Sequence, residues 1–295
     1  MTKGGNGVRV SIGITGVRIG HWTDTDGQTG CTVLVLPEGT TASCEVRGGA
    51  PASRELDALA PDKAVVTVDA ILLTGGSAFG LGAADGVLRY LEEHDRGVPT
   101  PAGKVPIVPT LALFDLSAGD PAARPTAAAG YAAAQAVSGE QVVHGRIGAG
   151  TGAHTSQWRG PDARRPGGLA YAQRRLGDLV VGAVCVVNAF GDIDDGTGDV
   201  ALDAVAMLNQ PFDFAGSRTH TTIGAVVTNA RLDKAACRIV AQGAHDGLSR
   251  ALTPPHTRFD GDGFIAAATG EIDTHVDVVR LMALAAVTEA IRSLA

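Results

Sequence analysis

Long apolar runs and clusters of basic residues are both missing from this chain of 295 residues. No segment stays apolar for long enough to cross a bilayer, and the glycine-rich start "MTKGGNGVRVSIGITG" lacks the apolar core of a signal peptide. Lys and Arg number 24 against 31 Asp and Glu, which gives a formal charge of -7. No basic patch with interleaved aromatic residues occurs either, so we expect a cytoplasmic protein that binds neither a membrane nor nucleic acid.

Sequence motifs for metal binding and disulfide chemistry are also missing. The four cysteines, Cys31, Cys44, Cys185 and Cys237, have no C-x-x-C spacing and lie among apolar or small residues. That setting favours reduced thiols in a core. The eight histidines include no H-E-x-x-H motif, and His144, His154, His245 and His256 have no second ligand at metal spacing. We expect no metal and no other cofactor.

Aromatic residues make up only 4% of the chain, whereas glycine occurs 40 times. Much of the packing must therefore come from Ala, Val and Leu, with backbones close together. The segment "AILLTGGSAFGLGAADGVLRYLEEHDRG" predicts a strand, a tight turn and a helix, and "GDLVVGAVCVVNAFG" predicts a buried strand. Asp233 is a candidate N-cap for a helix packed closely on a sheet, and the C-terminal segment predicts a buried helix. The alternation is typical of a single α/β domain.

Three glycine-rich segments resemble ligand-binding motifs without matching them. "GGSAFG" has Phe79 where a nucleophile elbow needs glycine, which favours a structural turn. "GAGTGA" lacks the Gly-Lys-Ser/Thr of a phosphate loop, although its backbone N–H groups could line a pocket. "DIDDGTGD" has Gly196 where a calcium loop needs a ligand, and no glutamate closes it, so we interpret it as a solvated turn.

Two adjacent threonines, Thr221 and Thr222, stand where the polar segment "SRTH" meets the strand-like "TTIGAVVTNARL". Threonine is ordinary at the start of a strand. If the chain were cut before Thr221, however, that residue would carry both a hydroxyl nucleophile and, in its free α-amine, a base to activate it. Such an amine has an ordinary pKa of ~7.7–8.0 and is partly neutral near physiological pH. A nearby carboxylate would orient it, and an amide or backbone N–H would stabilise the oxyanion.

Several segments together resemble the L-aminopeptidase/D-esterase family, which includes β-aminopeptidases and nylon-oligomer hydrolases. They occur in the family's order along nearly the whole chain. They are "GHWTDTDGQTGCTVLVLPEG", "RGGAPASRELDAL", "ILLTGGSAFGLGAADGVLRYLEE", "VPIVPTLALFDL", "GAGTGA", "VVNAFG", "TTIGAVVTNARLDKAACRIVAQGAHDGLSRAL" and "PPHTRFDGD".

The resemblance implies a four-layer α/β/β/α fold and a precursor that cuts its own chain. It places the cut between His220 and Thr221, so that residues 1–295 form one domain processed into 1–220 and 221–295. The two pieces are expected to stay associated and to assemble into a homo-oligomer. Thr221 would be exposed on the loop side, where it would be the nucleophile. Asn188 in "VVNAFG" matches the active-site asparagine, and Asp260 and Asp262 match the acidic pair.

Three positions differ from patterns common in the family. Gln157 in "HTSQWRG" stands where relatives have an active-site lysine, His220 precedes the cut where Asn or Gly is common, and Phe114 takes the place of a pocket tyrosine. Phe114 favours a less polar substrate. The expected substrate is a small molecule or short peptide carrying an amide or ester, cleaved through an acyl-enzyme on Thr221.

Two other functions stay open at this stage. Gln157 and His220 would also suit an oligomeric scaffold or binding protein that has lost efficient catalysis, although Thr221, Asn188 and both aspartates argue against it. Acyl transfer to an amine would use the same intermediate as hydrolysis. Pocket shape would decide between α-, β- and D-amino-acid substrates and nylon oligomers.

Overall fold

A computed structural model of the chain describes residues 12–139, 142–197 and 220–295, together with residues 206 and 209. The strands are β1 Arg18–Asp24, β2 Thr29–Val35, β3 Thr41–Val46, β4 Ala52–Arg54, β5 Ala70–Thr74, β6 Val98–Thr100, β7 Gly103–Val105, β8 Thr110–Ala112, β9 His154–Thr155, β10 Arg165–Pro166, β11 Gly168–Leu176, β12 Leu179–Asn188, β13 Asp192–Ile193, β14 Thr221–Ala230, β15 Leu252–Thr253 and β16 Gly263–Ile272. The helices are α1 Ser77–Gly80, α2 Ala83–Glu93, α3 Ala127–Gln135, α4 Lys234–Ser249 and α5 Val276–Arg292.

Two five-stranded sheets form the centre of the molecule. The first has the order β1-β2-β5-β8-β4 and the second the order β11-β12-β14-β16-β3. In the second sheet β12 and β14 are antiparallel, while β14 and β16 are parallel and are connected by α4. This arrangement brings the end of β12 and the starts of β14 and β16 together at the same end of the strands, where the candidate site lies.

Three buried apolar clusters separate four layers. One cluster takes side chains from both sheets, among them Leu34, Leu73, Val184, Ile223 and Ile265. A second lies between the first sheet and helices α2 and α3, and a third lies between the second sheet and helices α4 and α5. The order is therefore helices, sheet, sheet, helices, and the four-layer α/β/β/α fold expected from the sequence is confirmed.

Helix α4 begins as the sequence predicts, because the Asp233 carboxylate accepts a hydrogen bond of 2.8 Å from the Ala236 N–H. It packs on the second sheet through residues such as Cys237 and Val240. Its glycines have another role, since a Cβ on Gly243 would lie 2.5 Å from Arg280 Cγ of α5. The glycines of α4 thus allow close approach of two helices.

The short strand β13 lies in the acidic segment "DIDDGTGD", whose last two residues, 198 and 199, fall outside the described ranges. In the part of the chain that the structure describes, no group of three or more His, Cys, Asp or Glu is placed to hold a metal ion. None of the helices in that part has the length and apolar character needed to cross a membrane.

Candidate active site

Thr221 and Asn188 are directly opposite each other in the second sheet. Thr221 is the first residue of β14 and Asn188 is the last residue of β12, and the antiparallel register pairs the two. Every residue of both strands is buried. Valine and isoleucine dominate the stretches behind the two polar residues, as suits central strands. The rigid ladder fixes the position of both side chains at the sheet edge.

The peptide carbonyl before Thr221 receives two hydrogen bonds. The Thr221 hydroxyl donates to the His220 carbonyl oxygen in a very short contact. The N–H of Gly261 donates to the same oxygen at 2.9 Å. A hydroxyl beside this carbonyl and a donor on its oxygen are two of the groups that nucleophilic attack on the His220–Thr221 bond would use.

The expectation that Thr221 is exposed is wrong for the uncut chain, because only 4% of its surface is accessible. His220 extends the line of β14 by a parallel bridge to Asp260, so the chain stays within the sheet at this point. The His220 ring packs against the Phe190 ring at 5.1 Å. Burial, and to a smaller extent the charge of Arg164, lower the pKa of the His220 imidazole to about 4. His220 is therefore neutral at physiological pH.

Asp260 and Asp262 flank Gly261 just before β16, and each is only 2% exposed. Asp262 accepts a hydrogen bond of 2.7 Å from the Thr222 N–H, which ties it to the residue after Thr221. Asp260 accepts hydrogen bonds from the N–H groups of Phe190 at 3.2 Å and Thr257 at 3.0 Å. Residues 260–262, called the aspartate loop below, are thereby connected to both β14 and the segment that follows β12.

The two carboxylates have different electrostatic surroundings. Burial and then the charge of Asp262 raise the pKa of Asp260 to about 7. Two buried carboxylates side by side cannot both ionise at low cost. At neutral pH Asp260 is therefore poised to gain or lose a proton.

The Asn188 amide is held in one orientation by its neighbours. Its Oδ1 accepts a hydrogen bond of 3.0 Å from the His154 N–H, and its Nδ2 donates to the Phe114 carbonyl oxygen at 2.8 Å. Because the His154 donor is a backbone N–H and the Phe114 acceptor is a carbonyl, the positions of the amide oxygen and nitrogen are unambiguous. Phe114 thus reaches the site through its backbone.

Gln157 reaches the site through Asn188. Its Nε2 lies 3.2 Å from Asn188 Oδ1 and from the His154 carbonyl oxygen, and 3.4 Å from the carbonyl oxygens of Asn188 and Ala189. Four acceptors therefore face a side-chain amide that has only two protons to donate. The acceptor set would also suit an ammonium group.

All seven residues singled out in the sequence meet at this edge of the sheets. They are Phe114, Gln157, Asn188, His220, Thr221, Asp260 and Asp262. Sequence reasoning missed the backbone donors and carbonyls that join them, and also His256, whose Nδ1 lies 2.8 Å from Asp262 Oδ2. His256 belongs to the "PPHTRFDGD" motif, but its role depends on contacts that the motif alone does not reveal.

Gly48, in the motif "RGGAP", explains how the aspartate loop is held. A Cβ on Gly48 would lie 2.2 Å from the Asp262 nitrogen and 2.4 Å from the Asp260 carbonyl oxygen. Only glycine allows the two backbones to approach so closely. The adjoining N–H groups of Arg47 and Ala50 donate to the carbonyl oxygens of Asp262 and Asp260.

Comparisons with known proteins agree with this fold. The L-aminopeptidase D-Ala-esterase/amidase of Ochrobactrum anthropi, described as a serine aminopeptidase with a variant Ntn-hydrolase fold, superposes with a TM-score of 0.74 over 98% of this chain and 87% of its own at 18% identity. An uncharacterized aminopeptidase of Mycobacterium leprae is 43% identical over 290 residues, covering 88% of this chain and 78% of its own. The 6-aminohexanoate-oligomer endohydrolase of Paenarthrobacter ureafaciens is 33% identical, covering 88% and 74%.

The fold and these relatives define a peptidase-type amidohydrolase with an Ntn-hydrolase fold. The family model described as peptidase family S58 matches residues 12–294, and the chain belongs to that family. The resemblance to L-aminopeptidases, β-aminopeptidases and nylon-oligomer hydrolases expected from the sequence is confirmed.

Proposed function

We propose that this protein is a self-processing hydrolase that cuts its own His220–Thr221 bond and then uses Thr221 as an N-terminal nucleophile. The observation that carries the proposal is the pair of hydrogen bonds on the His220 carbonyl oxygen, one from the Thr221 hydroxyl and one from the Gly261 N–H. The hydroxyl that would attack and a donor that would stabilise the resulting oxyanion are both in place before the cut.

Processing would take place in two steps. The Thr221 hydroxyl oxygen attacks the His220 carbonyl carbon and loses its proton, and the C–N bond breaks as the Thr221 nitrogen gains a proton. This leaves His220 joined to Thr221 through an ester. Because the C–N bond is already broken, the Thr221 α-amine is free at this stage. Water then hydrolyses the ester, which frees the His220 carboxylate and restores the Thr221 hydroxyl. Asp260, with its pKa raised to about 7, is suited to carry a proton in these steps.

Substrate hydrolysis would use the same residues after the cut. The free α-amine takes the proton of the Thr221 hydroxyl, whose oxygen attacks the substrate carbonyl carbon. The C–N or C–O bond of the substrate then breaks, the amine or alcohol leaves with that proton, and an acyl-enzyme ester remains on Thr221. The Asn188 amide, opposite Thr221 in the register, would stabilise the oxyanion. Asp260 and Asp262 would orient the amine, and water would release the acid product.

The activities of the relatives support a proposal for the substrate class. They comprise an aminopeptidase, a β-aminopeptidase, an L-aminopeptidase with D-Ala-esterase and amidase activity, and a 6-aminohexanoate-oligomer endohydrolase. We therefore propose amides and esters of small amino-acid-like compounds, or short oligoamides, as substrates. The active form would be a homo-oligomer of processed pairs acting in the cytoplasm.

Two measurements on purified protein test this function. Denaturing mass spectrometry is expected to find residues 1–220 and 221–295 as separate species, whereas a scaffold would remain a single chain. A panel of α-, β- and D-amino-acid p-nitroanilides and esters, with a 6-aminohexanoate oligomer, is then expected to contain substrates. A single uncut chain after long incubation at neutral pH would overturn the proposal. Adding a competing amine distinguishes hydrolysis from acyl transfer by its products.

A further inference from the structure

His256 distinguishes the two carboxylates of the aspartate pair. Asp262 Oδ2 accepts hydrogen bonds from His256 Nδ1 at 2.8 Å and from the His256 N–H at 3.2 Å. Asp260 accepts from the Phe190 N–H and from the N–H and hydroxyl of Thr257. These three donors to Asp260 are neutral groups, whereas Asp262 has an imidazole, which can carry a positive charge.

The backbone of His256 is held in a conformation that non-glycine residues seldom adopt. Its φ is 52°, in the left-handed region. Such a residue persists only where the surrounding structure compensates for the strain. Here the backbone N–H and the ring Nδ1 of one residue both converge on a single carboxylate oxygen, Asp262 Oδ2.

The groups around His256 leave Asp262 as its acidic partner. On α4, the His245 ring packs edge to face against the His256 ring at 4.8 Å. Burial lowers the pKa of His245 to about 4, so this neighbour is neutral at physiological pH. Arg47 lies close enough to act on His245, and its guanidinium pairs with Asp246 at 3.2 Å and with Glu45 at 3.8 Å. In the described part of the chain, His256 Nε2 is buried and has no hydrogen-bond partner, so the Nδ1 contact is the ring's polar anchor.

We propose that His256 is a positioning residue of the active site: its imidazole and backbone N–H hold Asp262 as the permanent anion of the pair and leave Asp260 as the proton carrier. Asp262 can then keep its hydrogen bond to the Thr222 N–H through the whole reaction, which fixes the nucleophile next to it. The catalytic part of this inference rests on the proposed function, but the ionisation of the pair can be measured without it.

The test uses the uncut Thr221→Ala protein, labelled with 13C at the aspartate carboxyl carbons. Titrations of Asp260→Asn and Asp262→Asn variants assign the two signals. His256→Gly keeps the backbone N–H and accepts the positive φ, but removes the imidazole. The lower titration step of the pair is expected to rise by about one pH unit, as expected for loss of one hydrogen bond to a charged group. His256→Asn, which retains a neutral donor and tolerates this backbone, is expected to recover most of the shift.

Asp95→Gly is the matched control, because Asp95 has the same φ of 52° at the end of helix α2 on the other sheet. It is expected to leave both steps unchanged. A folded His256→Gly protein with an unchanged lower step would overturn the proposal. If that variant does not fold, the 15N chemical shifts of the His256 ring in the Thr221→Ala protein test the proposal instead. A proton on Nδ1 between pH 5 and 8 would support the proposal, and an Nδ1 without a proton would overturn it.

Neither measurement depends on turnover. A negative result would therefore contradict the role of His256 without contradicting the hydrolase assignment, and an inactive protein could still show the expected ionisation of the aspartate pair. In the active enzyme, His256→Gly is expected to lower kcat at neutral pH at least tenfold and to shift the acid limb of the pH profile, with recovery in His256→Asn. If His256 were merely structural, its substitution would change yield or thermal stability but would leave the acid limb of the pH profile unchanged.

Discussion

The N–H of Gly261 donates to the carbonyl oxygen of His220 at 2.9 Å. The donor comes from the loop between the two aspartates, and the acceptor belongs to the bond that we propose is cut. The same contact that bridges β14 to the start of β16 would therefore stabilise negative charge on that oxygen during the cut. One hydrogen bond thus contributes both to the joining of these two strands and to the readiness of the bond for processing.

Gly261→Ala is expected to slow self-cleavage by at least tenfold. A Cβ at Gly261 would lie 2.8 Å from Thr221 Oγ1 and 2.8 Å from the Ala50 carbonyl oxygen. Because the Ala50 oxygen belongs to the backbone, the hydroxyl or the loop must move. The fraction of cut chain against time, followed by denaturing gel, measures the effect. Gly82→Ala is the control, since a Cβ there would meet only the Phe79 oxygen at 3.5 Å. Equal rates for both variants would contradict the role of this contact.

Thr221→Ala is expected to abolish both self-cleavage and hydrolysis, whereas Thr221→Ser should retain some of each. The alanine variant loses the hydroxyl, and serine keeps it without the methyl group. Thr222→Val is the matched control, because the buried Thr222 hydroxyl has no hydrogen-bond partner in the described part of the chain. Removing an unpaired buried hydroxyl costs little, so Thr222→Val should be processed normally. Hydrolysis by the alanine variant would place the chemistry elsewhere.

Asn188→Ala is expected to reduce kcat by on the order of 10²–10³ if the side chain stabilises the oxyanion. Asn229 provides a close control at the other end of the same strand pair. Its Oδ1 accepts from the Val180 N–H at 2.8 Å and its Nδ2 donates to the Asp178 carbonyl oxygen at 2.9 Å. Asn229→Ala should therefore cost stability but leave kcat unchanged. If both variants lost activity equally, or if Asn188→Ala lost less than tenfold, Asn188 would be structural.

Gln157→Lys is expected to shift the acid limb of the kcat/KM profile to lower pH and to raise activity at neutral pH. The four acceptors around Gln157 Nε2 suit an ammonium with three protons. A positive charge there disfavours protonation of the Thr221 amine and so leaves more of it free as a base. Gln135→Lys adds the same charge at the end of α3 and is the control. Superimposable limbs for a folded, cut Gln157→Lys enzyme would show that this side chain does not influence the nucleophile.

The free energy of unfolding is expected to fall as the pH is lowered from about 6.5 to about 4. Burial lowers the pKa of His21, His220 and His245 to about 4, whereas histidine in an unfolded chain has a pKa of ~6.5. Between these values the unfolded chain binds more protons, so stability is lost on acidification. Asp260 acts in the opposite direction, because its raised pKa lets the folded state bind a proton from about pH 7 downward. The contribution of Asp260 to the pH dependence of stability therefore opposes that of one histidine.

Guanidinium unfolding of the uncut Thr221→Ala protein at several pH values measures this dependence. His245→Gln keeps a donor for the Glu45 carbonyl oxygen, which accepts at 2.9 Å from His245 Nε2, but removes the titrating ring. It is expected to reduce the slope by up to ~1.4 kcal/mol per pH unit. His275→Gln, at a side chain that is 72% exposed, is the control. Stability that increased steadily toward pH 4 would contradict the prediction.

The sequence predicts which residues form the site better than it predicts the contacts between those residues. The apolar strands ending at Asn188 and starting at Thr221, and the Asp233 N-cap, follow directly from patterns that each residue type imposes locally. The pairing of Asn188 with Thr221 requires the register of two strands that are buried throughout and show no alternation. Neither the apolar patterns nor the family resemblance specifies that register, which the structure provides.

The contacts that complete the site are made largely by the main chain. Every residue other than proline has an N–H and a carbonyl, so nothing in the letters marks the Gly261 N–H or the Phe114 carbonyl as special. The expected exposure of Thr221 was wrong for a related reason. A polar residue that follows a polar segment is expected to be exposed to solvent. Here, however, the bridge between His220 and Asp260 extends the sheet past the end of the apolar run.

The order of strands in the second sheet has a consequence for the lifetime of a processed molecule. Strands β14 and β16 follow the proposed cut, and they lie between β12 and β3, which precede it. The shorter piece would therefore be enclosed on both sides by the longer one, with no free edge from which it could peel away. Separating the pieces would require rupture of two hydrogen-bonded ladders together, which is global unfolding. After the cut, the two pieces of one molecule would therefore stay together, and they could exchange with pieces of another molecule only by unfolding and refolding.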